Sequence, residues 1–197
     1  VLPTPNQDCL GIMTGDAFPP IDTANMGIVP GAFCDHLTSW AATFDNGNQV
    51  KASSWIRRGA AGSEGTVEEP CAYPGKFPAA NFHTIYFQGL SLGEAYLRSM
   101  AYVPFQSLLY GDPMARPFAT FPMVVGNGPS GTVSGRLTFT PAVSTSLPGA
   151  TIAGVSAYLD GELLGTRTPG QAFSLNTYSL NDGWHELRVL AWDDTAV

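Results

Sequence analysis

Residues Gln106–Phe118 read QSLLYGDPMARPF, and the fold of the first half of the chain turns on them. Leu108, Leu109 and Tyr110 form an apolar run too short for a helix and suited to a buried strand. Gly111, Asp112 and Pro113 supply turn geometry directly after it, and Pro113 and Pro117 keep the strand from continuing in a ladder. Just upstream, Ser91, Leu92, Gly93 and Glu94 have the spacing of a capping box, in which the Ser hydroxyl takes a helix N–H and the Glu carboxylate takes the Ser N–H. The spacing predicts a helix over Leu92–Met100 that delivers the chain to the strand. Helix, strand and a proline-rich exit are the expected close of an α/β domain.

Further upstream, strand-like and helix-like segments alternate. Cys9–Thr14 and Gly27–Phe33 are short apolar runs bounded by Pro and Gly, and read as strands. Asp35–Thr43 reads as a helix start, with Asp35 as N-cap and Leu37, Trp40 and Ala41 on one face. Val50–Arg58 is a second short amphipathic segment. Ala60–Val67, small and Gly-rich, reads as a buried strand under close packing, and the loop after it holds Glu68, Glu69 and Cys71. From Gly126 the style changes. Asn127–Gly131 is a linker, after which strand signals recur at Arg136–Thr140, Ile152–Leu159, Glu162–Gly165, Ala172–Leu175 and His185–Trp192. Asp160-Gly161 is a tight hairpin signal, because a two-residue turn needs positive φ. Strands at this spacing without helices imply a β-sandwich of immunoglobulin type resting on Leu, Val, Tyr and Trp.

The chain has 197 residues, 44% hydrophobic and 13% charged, enough to bury a core in each of two small domains. Its net charge of -7 and lack of Lys/Arg runs argue against nucleic acid or an anionic membrane as partner. No apolar stretch approaches the roughly 20 residues of a membrane helix. Few Lys and abundant Gly, Pro, Ser, Thr and aromatic residues favour an extracellular or cell-surface setting, with the periplasm as the alternative. Val1 opens directly onto an apolar run and Val197 follows Trp192-Asp193-Asp194, so the chain is expected to be a fragment. Its partner would be the missing N-terminal portion of its own protein, or another chain, completing the sheet. Three cysteines, Cys9, Cys34 and Cys71, allow one disulfide with one free thiol, or a bond to sequence outside this chain.

The order GAFCDHLTSW (residues 31–40), RRGAAGSEGTVEEPCAYPGKFP (57–78), GLSLGEAYLRS (89–99) and LLYGDPMARPFA (108–119) resembles a bacterial family with a caspase-like α/β domain of gingipain/clostripain type. The tail YLDGELLG…LNDGWHELRVLAWD resembles the immunoglobulin-like modules appended to many secreted bacterial proteins. The resemblance implies an α/β plus all-β chain: residues 1–124 as the C-terminal portion of a caspase-like α/β sandwich, and 125–197 as a C-terminally truncated immunoglobulin-like β-sandwich.

In such peptidases a thiolate at a strand end attacks a carbonyl while a His from the preceding strand takes the thiol proton. The resemblance makes Cys34 the candidate nucleophile and puts the partner His upstream of Val1. Asp35-His36 beside it can orient a base, which makes His36 a second catalytic candidate; an N-cap followed by a hydrogen-bonded His explains the same pair as structure. Cys34 also reads as a small buried hydrophobe. Glu68, Glu69, Cys71 and His83 match no zinc spacing, and no metal or cofactor is expected. His185 reads as a structural polar residue, and Arg116, between prolines, as a tie between the domains through backbone carbonyls. Two functions follow: a non-catalytic secreted or cell-surface protein using the caspase-like scaffold and the immunoglobulin-like module for assembly or adhesion, or a gingipain-type cysteine peptidase acting through Cys34. Because no complete dyad is visible, the first is preferred.

Overall fold

The computed structural model describes residues 2–3, 7–69, 73–102, 106–126 and 128–195. The chain divides into two compact units, residues 1–119 and 120–197. In the first, the elements are β1 (Gln7–Met13), β2 (Met26–Asp35), α1 (Ser53–Arg57), β3 (Gly62–Thr66), α2 (Asn81–Phe87), α3 (Leu92–Ser99) and β4 (Ser107–Gly111). They form one sheet of order β1-β2-β3-β4, parallel through β3 and antiparallel at β4.

Alternation along β2 distributes its end between two cores. Ala32 and Cys34 enter a cluster with Ile12, Ile21, Met26 and Trp55 of α1, while Phe33 enters another with Phe82 and Tyr86 of α2 and Leu92 and Tyr96 of α3. Both faces of the sheet are therefore covered, and apart from Asp35 and Glu64 the buried residues of the central strands are apolar or small. Pro30 is accommodated inside β2 because the strand loops out there. Cys9 pairs with Ile28 but Gly11 pairs with Phe33, so the proline lies in a bulge where no ladder bond is required. Gly31 beside it has φ +94°, and a Cβ there would meet Pro117 at 2.7 Å.

Strand β3 shows why its sequence is small. A Cβ on Gly65 would lie 2.7 Å from the Ala42 nitrogen and 2.8 Å from the Ala41 carbonyl carbon, so the loop after β2 lies flat against the strand. Its backbone stays there through Ala42 N–H donating to the Thr66 carbonyl at 3.0 Å.

The stretch Gln106–Phe118 does more than stop a strand. After β4, Asp112 accepts the Met114 N–H on its side chain at 2.9 Å, and the Ala115 N–H closes the turn on the Asp112 carbonyl. The Pro113 and Ala115 carbonyls then take the N–H groups of Gly93 and Leu92, each at 2.9 Å. These are first-turn donors that a helix cannot satisfy internally. The predicted capping box completes the set, with Glu94 N–H donating to Ser91 Oγ at 3.2 Å and Ser91 N–H to Glu94 at 2.9 Å. Arg116 donates its Nε–H to the Gly89 carbonyl at 3.1 Å, a bond inside the first unit.

The helix expected over Asp35–Thr43 does not form. Leu37 has φ +28°, outside the helical region. The polar groups of this segment are met from elsewhere: Gln49 Oε1 accepts the Trp40 N–H at 2.8 Å and the Thr38 hydroxyl at 2.6 Å, and Lys51 donates to the Trp40 carbonyl at 2.8 Å. Asp35 ends β2 instead of capping a helix.

The second unit holds β5 (Met123–Val125), β6 (Arg136–Phe139), β7 (Ala142–Ser144), β8 (Ile152–Leu159), β9 (Glu162–Arg167), β10 (Phe173–Asn176) and β11 (Leu187–Asp193). Among the described residues its strand pairs are all antiparallel, in sheets β10-β6, β11-β8-β9 and β5-β7. Phe139, Val155, Ala157 and Phe173 form its core, with the two phenyl rings stacked at 5.5 Å. Tyr158 pairs with Leu163 and Leu159 with Glu162, leaving Asp160-Gly161 as the two-residue turn. Their φ values of +50° and +87° are the pattern of a type I′ turn.

Gly65→Ala is expected to destabilise the first unit by ~1–3 kcal/mol, because backbone and not a flexible side chain stands in the way. Gly47→Ala, where a Cβ meets nothing within 4 Å, is the neutral control. Urea denaturation midpoints of the two variants check this.

Candidate functional site: a buried polar core at the end of β2

Cys34, Asp35 and His36 are all wholly buried, and each points into a different environment. Cys34 lies in the apolar cluster with Cys9, Ile12 and Trp55. Burial first, and the neighbouring Cys9 second, push its thiol up to about 12. A thiol in that range holds its proton at neutral pH and is a poor nucleophile. Cys9 and Cys34 are both free thiols; Cys71 lies outside the described residues.

His36 is held at both nitrogens. Trp55 Nε1–H, which can only donate, gives its hydrogen bond to Nδ1 at 3.0 Å. Nε2 therefore carries the proton and donates it to the Val50 carbonyl at 2.8 Å. Burial lowers the ring's pKa, so this neutral tautomer is the form that fits the site. Neither nitrogen is available to the Cys34 thiol. The two candidate catalytic residues thus adjoin in sequence but form no thiol–imidazole dyad, and alternation along the strand end is the reason.

Asp35 faces the other way. Phe33 pairs with Gly62 across β2 and β3, so two residues further on the same parity places Asp35 beside Glu64. Both side chains are wholly buried. Glu64 accepts a short hydrogen bond from Ser107 Oγ, and the Ser107 hydroxyl pairs with Tyr96 OH at 2.7 Å. Asp35 Oδ1 accepts the His36 N–H at 2.7 Å. The remaining oxygens, Asp35 Oδ2 and Glu64 Oε2, are buried without another partner, which a proton held between the two carboxyls satisfies. Burial is the main force raising Asp35 to about 7. Burial and then the charge of Asp35 raise Glu64 well above the carboxylate range. Two carboxyls this close cannot both ionise in a dry site.

Sequence reasoning passed over Glu64. Its signal was a single acid in the otherwise small or apolar run Ala60–Val67, where an ionised carboxylate has no place.

The remaining candidates lie apart. Glu69 accepts from Ser39 Oγ at 2.9 Å and Glu68 from Gln106 at 3.2 Å. His83, on α2, lies over Gly11, where a Cβ would meet its ring at 2.3 Å. Its ring stacks on Phe87 at 5.7 Å, beside a cleft of about 580 Å³ along β1. Among the described residues no three His, Cys, Asp or Glu side chains gather as metal ligands, and no helix is long and apolar enough to cross a membrane. In the second unit, His185 sits in an ion pair with Asp160 at 2.6 Å.

The raised carboxyl pair makes stability pH-dependent. At this pair the folded state binds protons more tightly than the unfolded state, so the pair's contribution to stability is fully present below about pH 4 and is lost as pH rises toward and through about 7. Glu64→Gln keeps a partner for Ser107 and removes one of the two titrations. A shallower decline of urea stability between pH 4 and 8 is expected for this variant than for the wild type.

No protein-family model matches the chain, and no curated protein does. A solved structure described as "Structure of Protease" matches with TM-score 0.35 and 10% identity, over 82% of this chain and 47% of that one. The chain spans about half the length of that protein.

Proposed function

We propose that this chain is a non-catalytic bacterial protein of the cell surface or extracellular space. Its first unit, taken as the C-terminal portion of a caspase-like α/β sandwich, is a rigid scaffold. Its second, taken as immunoglobulin-like, is an assembly or adhesion module. The reading is supported by a sheet covered on both faces and by an all-antiparallel second unit with one core.

The observation that carries it is the placement of Cys34 and His36. A cysteine peptidase needs a thiolate open to substrate and an imidazole free to take its proton. Here the thiol is in an apolar core and both imidazole nitrogens are engaged by Val50 and Trp55. His36 in this role braces the loop after β2, and removing it orphans the buried Trp55 N–H and the half-buried Val50 carbonyl.

A thiol-reactive peptide ketone incubated with native protein is expected to give no labelling that disappears in Cys34→Ala. Labelling of the wild type that is lost in Cys34→Ala would establish the peptidase instead. His36→Ala is expected to lower thermal stability through the unpaired Trp55 N–H and Val50 carbonyl, by ~1–3 kcal/mol for each.

A further inference from the structure

One end of the second unit holds a groove of about 980 Å³ with an unusual lining. Tyr178 is 80% exposed and Trp184 is 87% exposed, and both border it. Large rings on a surface are costly to leave in water unless something covers them. Among the described residues no ring contact joins Tyr178 to Trp184, whereas Phe139 and Phe173 stack in the core.

Both rings stand on backbone that is tied down. Thr177 Oγ1 accepts the Gly135 N–H at 2.7 Å and donates to the Gly135 carbonyl at 3.2 Å, which holds the turn carrying Tyr178. On the other side, His185 Nδ1 pairs with Asp160 at 2.6 Å and Nε2 with the Asn181 carbonyl at 2.9 Å. Asp160 also accepts the Glu186 N–H at 2.8 Å. The loop bearing Trp184 is thereby clamped to the hairpin turn, so the indole is presented by rigid backbone, as a preorganised contact requires.

Apart from Asp182 and His185, whose ring is engaged by Asp160 and the Asn181 carbonyl, the polar groups around the rings are neutral. Ser130, Thr132 and Ser134 line the groove with hydroxyls, Asp182 adds a carboxylate, and Leu175 and Leu187 lie beneath. Among the described residues no Lys or Arg lines it, which disfavours phosphate, sulfate or nucleic acid as ligand. A ligand with apolar C–H faces and many hydroxyls meets every feature: rings for its faces, hydroxyls and a carboxylate for its edges.

We propose that this groove binds a neutral oligosaccharide, whose sugar rings stack on Trp184 and Tyr178 while their hydroxyls bond Ser130, Thr132, Ser134 and Asp182. The site rests on the adhesion reading of the second unit and names its ligand. It is tested separately from catalysis: sugar binding does not depend on Cys34, and Cys34 labelling does not depend on sugar.

The test uses the full chain, titrated by calorimetry with cellohexaose, mannohexaose and chitohexaose as neutral probes and with spermidine and hexagalacturonate as charged ones. Binding of at least one neutral probe is expected, weakened about tenfold or more by Trp184→Ala and by Tyr178→Ala. Leu163→Ala, an exposed apolar residue of β9 outside the groove, is expected to bind as the wild type does. Failure of all three neutral probes, equal binding by the two aromatic variants, or tighter binding of either charged probe overturns the proposal.

Discussion

The buried carboxyl pair of Asp35 and Glu64 is the constraint around which the first unit is organised. Two adjacent parallel strands each place a carboxyl on the same covered face, and neither can be ionised beside the other without a large cost in a dry interior. With one proton held between them, they become a hydrogen-bonding bridge. Through Ser107 and Tyr96 the bridge runs from β2 across β3 to β4 and on to α3. The antiparallel edge strand and the helix are thus tied to the parallel strands by polar contacts as well as by packing. A network of this kind fixes one register, because a slip of either strand by one residue would turn its carboxyl to the other face and break the pair.

The helix α3 depends on a second polar arrangement, supplied from beyond the strand it precedes. Its capping box satisfies one donor, and the turn after β4 supplies carbonyls for two more. The Gly-Asp-Pro stretch therefore works as a brace: Gly111, at φ +126°, lets the chain fold back over Ala61, and the prolines keep it out of the ladder. Strand, turn and helix form one closed unit even though only the first two are continuous in sequence.

Much of this was legible from residues alone. The capping box at Ser91, the buried glycine-rich strand around Gly65 and the hairpin at Asp160-Gly161 each carry a local rule that tertiary context did not override. The segment after Asp35 was misread because its helical spacing is real, yet its polar groups find Gln49, Lys51 and Thr66, partners far away in sequence. The candidate site suffered from the same limit. Cys34, Asp35 and His36 look like a cluster in one dimension, and alternation plus the turn at Leu37 send them to an apolar core, a carboxyl pair and a Trp–backbone clamp. Glu64 was the informative residue, and only its pairing across β2 and β3 gives it meaning.

The position of Cys34 has a consequence for motion. A thiol shielded on every side in a core between β2 and α1 reacts only when that core opens, so its rate of reaction with a small reagent measures the opening equilibrium of the first unit. The second unit carries no cysteine. In a single polypeptide, thiol exchange therefore follows breathing of one half alone, and set beside a signal from the second half it tells whether the two open together or separately.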